Sequence, residues 1–212
     1  MAFASLLCLG TAAFSGSTAS AAPIVVYGTG VTDSGALAAA GTTDTHYSIL
    51  SGPTGASTPF VGTNIPGQWV ANMGSSQWIG VSTNLSTTQP AGAYDFRTTF
   101  SLAGLNYTTA SLAGSVAADN NVTILLNGVA ASSANFGGSA SLSPFTLSSG
   151  FINGVNTIDF VVTNSPGGGF NPSGLQVAIT GSAAVPEPAS IVMVGLGAVG
   201  VMGFGLRRRA IA

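Results

Sequence analysis

The chain has 212 residues with six Asp/Glu, four Arg and no Lys, so 5% of it is charged and the formal net charge is −2. That is far below the ~25% of an ordinary soluble domain, and before residue 207 the only cation is Arg97, which excludes a role that neutralises nucleic-acid phosphates. With 46% hydrophobic residues and 30 Gly, the sequence predicts one folded domain rich in turns and small polar residues.

Residues 1–21 are predicted to be a signal peptide. A short apolar stretch, Ala2–Gly10, leads into small residues ending Ala19-Ser20-Ala21, an A-x-A cleavage site with the cut after Ala21. No Lys or Arg precedes the apolar stretch, so a basic segment upstream of Met1 is expected. The one Cys, Cys8, follows Leu7 rather than a small residue, which argues against lipid attachment, and cleavage would leave a mature chain with no thiol.

From 22 to 184 the recurring signal is strand alternation. Strands are expected at Ile24–Tyr27, Thr45–Leu50, Gln68–Asn72 and Gln77–Val81, then at Ala93–Leu102, where Tyr94, Phe96, Thr98, Phe100 and Leu102 share one face. Further candidates are Leu112–Ala118, Val122–Leu126, Phe145–Leu147, Thr157–Thr163 and Leu175–Thr180. Asn127-Gly128 after the Val122 strand is the dipeptide of a type I′ hairpin turn, which needs positive φ at both residues. About ten short strands with Gly, Pro, Asn and Ser turns between them predict an all-β fold, an antiparallel jelly-roll-like β-sandwich.

The C-terminus has three parts. Val185-Pro186-Glu187-Pro188-Ala189-Ser190 comes first, the uncharged run 189–206 is just long enough to cross a bilayer as a single transmembrane helix, and Arg207-Arg208-Arg209 places its far end in the cytoplasm by the positive-inside rule. This tail resembles the PEP-CTERM sorting signal over 185–209. The resemblance implies processing by an exosortase, a membrane-embedded cysteine transpeptidase-like enzyme of Gram-negative bacteria. It further implies a precursor anchored in the inner membrane with the body outside, then release to the cell surface or extracellular matrix in an organism that makes exopolysaccharide. The sorting residues it implies are Val185, Pro186, Glu187, Pro188, Arg207, Arg208 and Arg209.

Two patterns, Ala118-Asp119-Asn120-Asn121 entering a strand and Gly154-Val155-Asn156 feeding another, resemble galactose-binding-like and related carbohydrate-binding jelly rolls over about 77–181. The candidate sugar-stacking aromatics are Trp69, Trp78 and Tyr94, with Trp69 the more exposed Trp. Asp119, Asn120 and Asn121 offer three side-chain oxygens in one loop, a candidate Ca²⁺ site, although turn capping explains them as well. No cofactor is required. A single His, His46, cannot build a His-rich zinc centre, and five scattered Asp could in principle supply a catalytic pair, although turn and strand roles explain most of them. The reading is an exported, non-enzymatic structural or adhesive protein with polysaccharide as candidate ligand; the alternative is a secreted hydrolase acting on matrix polysaccharide through an Asp pair.

Overall fold

A computed structural model describes residues 20–186, all of them strand, turn or irregular. Most of the expected signal peptide, the run 189–206, and Glu187, Pro188 and Arg207–Arg209 lie outside the described residues. Among the described residues no helix is long and apolar enough to cross a membrane.

Among the described residues eleven strands form two antiparallel sheets. The first sheet has the order β3 (Phe60–Val61), β4 (Ile79–Gly80), β11 (Gly174–Ala184), β6 (Asn106–Asp119) and β9 (Ser143–Leu147), with β1 (Ala21–Pro23) also on β11. The second has the order β2 (Tyr47–Ser51), β5 (Gly92–Ser101), β10 (Val155–Asn164), β7 (Asn121–Leu126) and β8 (Val129–Gly137). From β5 onward the chain crosses between the sheets at every step except the β7–β8 hairpin. That hairpin turns on Asn127 and Gly128, with φ of 52° and 79°, as the dipeptide requires.

The core lies between the sheets, where alternation aims the apolar residues. Tyr94, Phe96 and Phe100 on β5 meet Ile158, Phe160 and Val162 on β10 and Leu112, Val116 and Val177 from the facing sheet. Phe145 stands edge-on to Phe160 at 6.1 Å between ring centroids. The inward row of β10 is closed at both ends by a buried amide, Asn156 at one end and Asn164 at the other. Asn164 donates to the carbonyls of Gln89 and Pro90, tying down the segment that enters β5.

Long strands with branched or aromatic residues at period two are where sequence and structure agree best. The strand expected over Gln68–Asn72 is instead irregular. Pro66 and Gly67 start a turn there, closed by Trp69 N–H on the Pro66 carbonyl, and the large side chains turn into a second cluster rather than alternating. The first strand is Ala21–Pro23, not Ile24–Tyr27, although the backbone keeps following β11 through Ile24 N–H to Gly181 O and Thr29 N–H to Val177 O. β3 and β8 had no alternation to announce them: β3 is two residues long, and β8 runs through Ala and Ser.

The two sheets have unequal outer faces. Residues 62–85 fold over the distal part of the first sheet, packing Trp69, Trp78 and Leu85 on Ala117. Trp69 and Trp78 lie 4.2 Å apart between ring centroids. The Trp69 ring covers Gly174 so closely that a Cβ there would come within 2.8 Å of it. The outer face of the second sheet carries no such cover among the described residues.

Candidate functional site

That open face holds three of the six charged residues among the described ones. On β5, Asp95, Arg97 and Thr99 point outward; on β10, Thr157, Asp159 and Val161 do the same, and register sets Asp159 directly opposite Arg97. The guanidinium grips the carboxylate with two bonds, Nε to Oδ1 at 2.5 Å and Nη2 to Oδ2 at 2.8 Å. A bidentate pair of this kind fixes both side chains in a plane along the sheet. The Asp159 side chain is 5% exposed and that of Arg97 33%, so the carboxylate is covered by its partner and the guanidinium remains accessible from solvent. Hydrogen bonding to Asp159 is the main reason the Arg97 pKa is raised. Asp95 sits beside this pair; partial burial, then the Asp159 charge, raise its pKa, with Arg97 acting the other way.

Chemically this is a shallow, polar, nearly neutral surface. Two carboxylates facing each other across a cleft, as glycoside hydrolysis needs, are not what Asp95 and Asp159 make, because Asp159 is committed to Arg97. The sequence placed Arg97 and Asp159 on outward faces. Their partnership depends on a strand register between residues 62 positions apart, which no local pattern encodes.

The aromatic residues expected to stack on sugar are elsewhere. Trp69 is 6% exposed, Trp78 0% and Tyr94 1%, so none presents a ring face to solvent. Trp69, expected to be the exposed one, is drawn inward because its indole N–H finds a buried acceptor, Asp119 Oδ2 at 2.9 Å. Trp78 donates to the Val70 carbonyl and Tyr94 to that of Pro90. The oxygens of the expected Ca²⁺ loop are likewise engaged: Asp119 holds Trp69, and Asn120 Oδ1 accepts Ser165 N–H at 2.7 Å. Asn121 begins β7. Desolvation raises the Asp119 pKa, partly offset by the Trp69 bond. Among the described residues no three His, Cys, Asp or Glu side chains converge as a metal site.

His46, singled out in the sequence, stacks on Tyr27 with 3.7 Å between ring centroids, and its Nε2 approaches Asp33 Oδ1 at 3.3 Å. Its neighbour Asp44 is a buried turn anchor: its carboxylate accepts the backbone N–H groups of Gly30, His46 and Tyr47. Burial nevertheless raises its pKa above the usual carboxylate value.

The other functional feature is where the first and last strands of the body meet. Ala21, Ala22 and Pro23 pair with Ala184, Ala183 and Ser182, and Val185 N–H donates to Ser20 O at 2.8 Å. The expected signal cleavage site and the start of the C-terminal tail are therefore adjacent on one sheet edge. Residues 184–209 match the PEP-CTERM protein-sorting motif. The PEP-CTERM segment thus begins on the last residue of β11, with the sandwich already complete before it. The motif marks an exported precursor that an exosortase processes.

No curated protein matches the chain. Among solved structures it is similar to a mutant of a carbohydrate-binding module of family 29 (12% identity, TM-score 0.39, covering 78% of this chain and 93% of that one). It is also similar to a carbohydrate-binding module of the same family (14%, 0.36, 78% and 90%). A third is a family 35 module from Paenibacillus barcinonensis (18%, 0.33, 64% and 92%).

Proposed function

We propose that this chain is a non-catalytic structural or adhesive β-sandwich of the bacterial envelope. An exosortase releases it from the inner membrane to the cell surface or extracellular matrix. The observation that carries the reading is the PEP-CTERM segment starting where β11 ends, so that one cut frees an intact domain. We further propose that the open face of the second sheet binds polysaccharide, through Arg97, Asp95 and the hydroxyls of Thr99 and Thr157. That polar face can exchange hydrogen bonds with sugar hydroxyls while the Arg97 and Asp159 charges keep each other as partners.

Two measurements test this. Intact mass of the extracellular form should place the start near Ala22 and the end near Pro186–Pro188; an extracellular species retaining Arg207–Arg209 refutes exosortase release. In affinity electrophoresis, gels carrying the host's exopolysaccharide should retard the mature body, and Thr157→Arg on the open face should weaken the retardation. Equal mobility with and without the polymer refutes binding.

A further inference from the structure

The end of the sandwich that holds β1 and the last residues of β11 is also its apolar end. The β5–β6, β7–β8 and β9–β10 turns all lie there, with β1 and the end of β11. Of the ten exposed large apolar residues among the described ones, six belong to it: Val25, Tyr107, Val129, Ile152, Val155 and Val185. Val129 is 71% exposed, Val25 68% and Val155 64%. Val25 and Val155 line one open cleft of about 580 Å³ with Pro23, Phe100 and Leu105. Val129 lines a second, of about 240 Å³, with Leu126 and Leu147. Segments 20–25, 102–109, 126–131, 146–157 and 180–186 contain no charged residue. Asp33 lies beside the first cleft, since Tyr27, which lines it with Val25, donates its hydroxyl to the Asp33 carbonyl, whereas Asp119 lies at the opposite end of β6.

The chain outside the structure says what faces this end. Val185 directly follows β11, and only Pro186, Glu187 and Pro188 separate it from the uncharged run that starts at Ala189. Four residue steps reach at most about 14 Å when fully extended. A tether that short holds this end of the sandwich against whatever surface the run enters.

We propose that, before processing, the apolar end docks on the lipid bilayer, with Val25, Val129 and Val155 in the interfacial layer. This inference rests on the anchored-precursor reading above. Exposed apolar side chains without charge gain by entering the headgroup boundary, as the apolar face of an interfacial helix does. Docking sets the orientation: the open face with Arg97 stands roughly perpendicular to the membrane, and the far end with Phe170 points away from it. Cutting at the motif then frees an apolar surface that the membrane had covered.

The test uses the full chain in a Cys8→Ser background, labelled with bimane at Val129→Cys, Val155→Cys or, at the far end, Phe170→Cys. Each is reconstituted in phosphatidylethanolamine–phosphatidylglycerol vesicles containing nitroxide-labelled lipid. Docking predicts quenching about threefold stronger at 129 and 155 than at 170. It also predicts that this difference survives a flexible Gly/Ser insertion after Val185, since the short tether brings the apolar surface to the membrane but that surface suffices to keep the contact. Equal quenching at both ends of a chain that floats with the vesicles overturns the docking while leaving the anchor intact. So does a difference that vanishes on lengthening the tether. A chain that fails to float refutes the anchored precursor and this inference with it.

Discussion

Asn156 makes a stringent test of how this fold is closed. It is fully buried on the inward row of β10. Its amide nitrogen donates to the carbonyls of Ile152 at 2.9 Å and Gly154 at 3.0 Å. Its oxygen accepts Ile152 N–H and the Asn127 amide, both at 2.9 Å. One side chain thus knots the β9–β10 turn to the β7–β8 hairpin. Truncation to Ala removes four bonds worth about 1 kcal/mol each in net terms. Water repays part of that at Ile152, which is 49% exposed, so a loss of about 2–4 kcal/mol is expected. Asn156→Asp keeps the accepting oxygens but sets a carboxylate against two carbonyls; it should be at least as damaging at neutral pH and should recover in acid, where the protonated acid donates again. Urea denaturation of both variants gives the values. A loss below about 1 kcal/mol for Asn156→Ala, in the range of an ordinary surface change, would refute the knot.

Three further outcomes follow from the same geometry. Phe96→Ala, 1% exposed on the inward face of β5, should cost about 3–5 kcal/mol, while Thr99→Ala on the outward face should stay within about 0.5 kcal/mol; urea midpoints reversed in order would mean an inverted register. Trp69→Phe keeps most of the packing but leaves the buried Asp119 carboxylate without its donor, so a loss of about 1–3 kcal/mol is expected in the same assay, and an unchanged midpoint would count against the bond. Asp44, Asp95 and Asp119 all have folded pKa values raised above the usual 3.8, chiefly by burial. The folded state therefore keeps protons that the unfolded chain has already released. Their contribution is fully present below the unfolded pKa and is lost as pH rises through the folded values, so the thermal midpoint should be higher near about pH 4 than near about pH 7. A midpoint that climbs between those two values contradicts the shifts.

Several features were fixed by the sequence alone, each of them local. Period-two aromatics at Tyr94, Phe96 and Phe100 determine which side of β5 is buried, because a strand sends alternate side chains to opposite faces. Asn127-Gly128 specifies its own turn through the φ values those residues tolerate. The tail from Val185 to Arg209 carries its address in order and composition, which is why residues alone suffice to match it. What the tertiary structure decided is pairing across long separations. Trp69 was legible as a large aromatic after a loop, but only the arrival of Asp119, 50 residues on, makes it a buried one. Arg97 found Asp159 because β5 and β10 align in one register out of many, and the two ends of the body meet because β1 adds to the edge of β11. Neither local propensity nor periodicity carries that information. It resides in the closing of two sheets over a single apolar core, which admits few registers once one face of each strand must be dry.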